Sequence, residues 1–147
     1  MEAELNPDEL KNMFLLSKNE EGETVWHLAA GEMDERVLQK ICYWAKAAQL
    51  KQNELVNELF LTKDKNGNTA WHRAAKAGRL KALEILWSCA MEAEINPDEL
   101  KNMLLLSQNE EGETVWHLAA GGIDERVLQK ICYWAKAAQL KQNELEN

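Results

Sequence analysis

The chain has 147 residues, a length suited to one domain with a modest core. Hydrophobic residues at 46% and charged residues at 29% exclude a disordered chain, and 25 acids against 17 bases leave a net charge of −8. That balance argues against nucleic-acid and anionic-membrane binding, which need a basic face, and no apolar run nears the ~18 residues of a membrane span. The expectation is no nucleic acid and no membrane among the partners.

Met1 is followed by Glu2 and Glu4 where a secretory signal would begin with bases. Three cysteines, odd in number and widely spaced, do not make a disulfide framework. Both features predict a cytoplasmic or otherwise intracellular protein. Two prolines and seven glycines among abundant Ala, Leu, Glu and Lys predict an all-α chain.

The order of elements is set by a repeat. Gly-Glu-Thr-Val-Trp-His-Leu-Ala-Ala begins at Gly22, Gly-Asn-Thr-Ala-Trp-His-Arg-Ala-Ala at Gly67, and the first string returns at Gly112, so both intervals are 45 residues. This gives a single repeat domain over 1–147, made of a partial unit 1–21, full repeats 22–66 and 67–111, and a partial repeat 112–147. A second period lies above the first. Residues 1–55 match 91–145 except at Leu5/Ile95, Phe14/Leu104, Lys18/Gln108, Glu32/Gly122 and Met33/Ile123. Two unlike repeats were therefore duplicated as a pair, and a tandem duplication explains this better than engineering, since a consensus design makes every repeat alike.

Along the chain, Asn6-Pro7-Asp8-Glu9 is a helix start: an N-cap, proline at the first helical position and acid in the first turn. Thr24 then caps a short helix, Asp34 is placed to cap the next, and Leu38, Ile41, Ala45 and Ala48 share one face of it. From Gln52 no proline restarts a helix, so the chain continues or bends. In the middle unit, Asp64-Lys65-Asn66-Gly67-Asn68 is a turn, Thr69 caps a short helix through Ala75, and Gly78 ends it. His72 stands where a capping box carries Glu or Gln, so its ring can bond back toward Thr69. A second helix is predicted over 80–95, with Leu83, Leu86, Trp87, Ala90 and Ala93 at helical spacing. Asn96-Pro97-Asp98-Glu99 then opens a third helix that buries Leu100, Met103 and Leu104. The last unit repeats the first, with Thr114 and Asp124 as caps and no proline near Gln142.

The pattern Asp64-x-x-Gly67-x-Thr69-x-Trp71-His72-x-Ala74-Ala75-x-x-Gly78 resembles the ankyrin repeat, as do Gly22-x-Thr24-x-x-His27-x-Ala29-Ala30 and Gly112-x-Thr114-x-x-His117-x-Ala119-Ala120. The resemblance covers about twelve residues of each unit, spanning the turn and first two helices. It implies an ankyrin-like helical repeat solenoid with projecting turns, whose concave surface binds other proteins.

The sequence departs from that family in four ways. Its period exceeds the usual ~33 residues because of the third helix. Val25, Ala70 and Val115 replace the proline after the threonine, and Trp26, Trp71 and Trp116 replace the leucine before the histidine. Finally, Gly31 and Gly121 come two residues earlier than Gly78 in register, which predicts a different interhelix turn in the outer units. An armadillo or HEAT-like array has a period nearer 45 but leaves Gly-x-Thr-x-x-His unexplained.

Three histidines at one repeat position suggest a ladder. Neighbouring helices lie ~8–10 Å apart, too far for two imidazoles to share a metal ion at ~2 Å each, so the histidines are read as helix caps. Cys42-Tyr43-Trp44 and Cys132-Tyr133-Trp134 face Trp87-Ser88-Cys89 in the middle unit, and this exchange predicts large side chains packing on small ones between neighbours. No phosphate loop, nucleophile elbow or zinc-ligand spacing occurs, so no catalytic residue, cofactor or metal ligand is assigned and the chain is read as no enzyme.

Charge alternates in blocks: −8 over 1–35, +6 over 36–90, −8 over 91–125 and +2 over 126–147. Such a pattern either keeps a mixed surface soluble or steers a complementary partner. The function expected is a non-catalytic protein–protein interaction scaffold, with another protein held at Glu23, Leu28, Lys65, Asn68, Arg73, Lys76, Glu113 and Leu118. The alternative is a self-assembling structural repeat or a piece of a longer array. In that reading Leu10, Met13 and Phe14 meet Leu140 and Leu145 in head-to-tail self-association.

Overall fold

The computed structural model describes residues 15–32, 34–47, 59–122 and 124–146. Seven α-helices run in order among them: α1 Val25–Gly31, α2 Glu35–Ala47, α3 Ala70–Lys76, α4 Leu80–Glu92, α5 Pro97–Lys101, α6 Val115–Ala120 and α7 Glu125–Glu146. The described residues contain no strand, so the fold is all-α. None of their helices is long and apolar enough to cross a membrane.

Local sequence explains most boundaries. The Asn96 side chain accepts the Asp98 amide at 2.8 Å, Pro97 opens α5, and Asp98 and Glu99 sit at the positive end of its dipole. Beyond Lys101 the helix loosens into a π-helical turn, Asn102–Leu106. The Asn6 signal and the stretch from Gln52 lie outside the described residues. Near Gln142 the helix continues, as α7 runs unbroken from Glu125 to Glu146. Helix α4 stops at Glu92, short of Ile95: Glu94 enters the left-handed region (φ 55°) and the Ile95 amide turns back to the Ala90 carbonyl.

The two kinds of interhelix turn differ. Gly78 (φ 68°) lets Arg79 N–H reach the Ala74 carbonyl at 2.9 Å, closing α3 on itself. At the end of helix α1 the Glu32 N–H donates to the Leu28 carbonyl at 2.9 Å. After it, the Asp34 carboxylate accepts the Arg36 amide at 2.8 Å to start α2, and Asp124 does the same for Arg126 at 2.9 Å.

The short helices pack in sequence, α1 on α3 and α3 on α6, while α2 lies on α4 and α5 on α7. Their shared core is aromatic. Trp26 and Trp71, both fully buried, flank Phe60 with ring centroids at 5.5 and 5.8 Å, edge-on and tilted. Between the longer helices, the expected large-on-small exchange is not what is found. Trp87 stacks on Trp134 at 5.1 Å with planes 10° apart, and Cys42 lines the same groove between α2 and α4 as Cys89. Both pairs are 47 residues apart, two more than the repeat, so like meets like along a diagonal. Adjacent helices engage through the ridges of their surfaces, and those ridges need not join equivalent positions. The neighbouring Cys89 thiol, with burial behind it, holds the Cys42 thiol above the ordinary thiol range.

Candidate functional site

The side chains with chemistry gather where the turns meet the short helices. Each turn is organised by one polar residue. The Asn19 side-chain oxygen accepts the Glu21 and Glu23 amides, Asp64 those of Asn66 and Asn68, and Asn109 those of Glu111 and Glu113, all at 2.9–3.0 Å. Successive turns are then joined through backbone. Lys65 N–H donates to the Glu21 carbonyl at 2.9 Å, and 45 residues on Glu110 N–H donates to Asn66 at 3.1 Å.

The histidines complete this junction. In each unit the backbone N–H of the threonine donates to the histidine Nδ1: Thr24 to His27 at 3.1 Å, Thr69 to His72 at 3.2 Å and Thr114 to His117 at 3.1 Å. Since Nδ1 accepts, the ring proton resides on Nε2. That proton goes to the next unit's turn, from His27 to the Asn68 carbonyl at 2.8 Å and from His72 to the Glu113 and Ser107 carbonyls at 3.0 and 3.1 Å. Burial holds the pKa of both rings below the ordinary 6.5, despite those carbonyls. Protonating Nδ1 would also turn it toward an N–H donor. The capping role expected from sequence is present, and to it the structure adds a bridge to the following unit. Among the described residues no three potential ligands gather to hold a metal.

A charged cluster locks the first junction. Arg73 donates to Asp64 through Nε at 2.9 Å and Nη2 at 2.7 Å, and pairs with Glu23 through the same Nη2. Asp64, with a side chain 1% exposed, is pushed upward by burial, but the amides of Asn68 and Asn66 and the Arg73 guanidinium bring it below the usual carboxylate range. Glu23 is also lowered, first by the Asn19 side chain and then by Arg73. Arg79 donates from Nη1 to the Ala29 and Ala30 carbonyls at 2.8 and 3.0 Å, so the middle unit caps the open end of α1.

These contacts divide the eight residues singled out for partner binding. Glu23, Asn68 and Arg73 are held by their neighbours, with the Asn68 side-chain oxygen accepting from Asn109 at 3.0 Å. Glu113 is half-buried, its carboxylate bound by Asn109 and its carbonyl by His72. Leu118 is buried and Leu28 half-buried. Lys65 and Lys76 stand exposed.

Sequence reasoning missed Arg79, Lys63, whose Nζ donates to the Gln108 carbonyl at 2.7 Å, and an outer surface carrying Tyr43 and Tyr133 at 67% and 69% exposure. Beside Tyr43, a groove of about 700 Å³ lies between α2 and α4, lined by Arg36, Lys46, Lys81, Glu84 and Glu92. The alternation Asp34/Arg79/Asp124 at one repeat position was the signal available for Arg79. No protein-family model matches this chain, and a search of curated proteins returns no match.

Proposed function

We propose that the chain is a non-catalytic protein–protein interaction scaffold, an ankyrin-like helical solenoid with projecting turns. The observation that carries this reading is the recurrence of one junction at a 45-residue interval: threonine to histidine within a unit, and histidine to the next turn's carbonyl. It agrees with the Gly-x-Thr-x-x-His resemblance and gives the histidines, Asp64 and Arg73 a use in cohesion. Such a scaffold works inside the cell, needs no cofactor, and recognises another protein.

The partner face runs along the turns and short helices, where Lys65 and Lys76 stand out from acidic turns at Glu20-Glu21 and Glu110-Glu111. A partner with the complementary order of charge is attracted there, with an effect mainly on association rate. The test is capture of binding proteins on the immobilised chain, followed by association kinetics with Lys65→Glu/Lys76→Glu. Slower association and a weaker salt dependence, at unchanged helicity, support the face. Unchanged kinetics move the partner elsewhere, with the outer tyrosines as the next surface to alter.

A further inference from the structure

Trp116, His117 and Cys132, equivalent to the buried Trp26, His27 and Cys42, line a cleft of about 500 Å³ with Leu105 and Ala135. His117 keeps its Thr114 partner and is exposed. We infer that this face is a docking surface for one more repeat of the middle type, a helical module presenting a turn carbonyl and two arginines.

The first unit holds the middle unit through the Glu21 carbonyl, Glu23, His27, the Ala29 and Ala30 carbonyls and Glu35, and its Cys42 shares a groove with Cys89. Ninety residues on, the last unit carries Glu111, Glu113, His117, Ala119, Ala120, Glu125 and Cys132, identical at every position. Of the residues in those contacts only Glu32, 3.8 Å from Arg73, is changed, to Gly122. The surface that receives Arg73, Arg79, the Asn68 carbonyl and Cys89 in the first junction is therefore present a second time.

Charge selects the occupant. Arg73 and Arg79 meet Glu23 and Glu35 in the first junction. A second copy docking head-to-tail would instead present its own first unit, with Leu28 at the Arg73 position and Asp34 at the Arg79 position. Asp34 would then face Glu125, and the acidic turn Glu20-Glu21 would lie on Glu110-Glu111. A middle-type repeat brings Lys63, Lys65, Arg73 and Arg79 to the same places. This inference rests on the stacked-repeat reading proposed above, and uses neither Lys65 nor Lys76 as a partner contact of the present chain.

The test lengthens the whole chain. Residues 56–147 are fused after Leu145, which places a second middle-type repeat in register, in a background where Cys132 is the sole thiol and the others are serine. Cys132 alkylation by N-ethylmaleimide is expected to slow at least tenfold relative to the unextended chain, with helix content rising on circular dichroism. A control carries leucine and aspartate at the appended counterparts of Arg73 and Arg79, and is expected to leave Cys132 reactive. Unchanged alkylation, equal protection by the control, or an appended repeat that stays unfolded beside the unit it normally precedes would each overturn the inference. So would protection of Cys132 in the unextended chain as its concentration rises, with mass doubling in light scattering, because the occupant would then be a second copy. Loss of partner capture on Lys65→Glu/Lys76→Glu leaves all of these outcomes readable.

Discussion

Alanine at Gly67 would place its Cβ 2.7 Å from the Glu110 amide nitrogen and 3.1 Å from the Asn109 backbone, on a residue whose φ is +79°. The same substitution at Gly112 meets nothing within 4 Å at a φ of +77°. Both carry the left-handed penalty of an L-residue, ~1–2 kcal/mol, partly offset by ~0.4–1 kcal/mol because alanine restricts the unfolded chain. Gly112→Ala should then cost about 1 kcal/mol. Gly67→Ala must also push the next turn away, adding ~1–3 kcal/mol of overpacking and loosening the Glu110-to-Asn66 hydrogen bond, worth ~1 kcal/mol. Its total should be about 3–5 kcal/mol. At roughly 3 °C per kcal/mol for a chain of this size, the Tm falls by about 3 °C and by 10 °C or more. Urea unfolding followed by both circular dichroism and tryptophan fluorescence measures the pair. Equal losses would refute the idea that turn-on-turn contact separates the two sites.

Acid should weaken the protein in two steps. His27 and His72 have folded pKa values below the ordinary 6.5. The unfolded chain therefore takes up protons first, and stability present above about 6.5 is lost as pH falls toward the folded values. Two such groups give a slope of up to ~2.7 kcal/mol per pH unit. His27→Gln/His72→Gln, which keeps a capping-box residue, should flatten denaturant midpoints measured from pH 7 to 5. Asp64, lowered in the fold from 3.8, contributes stability above that value and loses it as pH falls through the lower one, so Asp64→Asn should remove a separate, more acidic phase. Phe60→Ala should cost ~3–5 kcal/mol and reduce the near-ultraviolet dichroism of Trp26 and Trp71, which its ring separates. Arg79→Ala should cost ~1.5–3 kcal/mol by uncapping the Ala29 and Ala30 carbonyls, and chemical denaturation of Arg79→Lys should recover only part.

What the sequence made legible was local. Thr24, Thr69 and Thr114 lie three residues from their histidines, and Asn96 stands next to Pro97, so a window of five residues contains both cause and effect. Gly78 announced its own helix end in the same way. The Arg73 cluster was not legible, because Glu23 is 50 residues away and Asp64 nine, and neither spacing marks a pair in advance. For that reason Arg73, Glu23 and Asn68 read as free surface when they are mortar. The diagonal of Trp87 on Trp134 was hidden differently. Aligning repeats gives equivalent positions, whereas packed helices meet two residues out of register.

The histidine bridge has a kinetic consequence. His27 and His72 each tie the start of their own helix to the unit that follows, so opening either unit requires releasing its neighbour as well. His27 and His72 are tied in this way and His117 is exposed. Amide exchange should consequently show a gradient along α1, α3 and α6. Protection is expected to fall at the last of them, where the imidazole stands exposed and not clasped between two units.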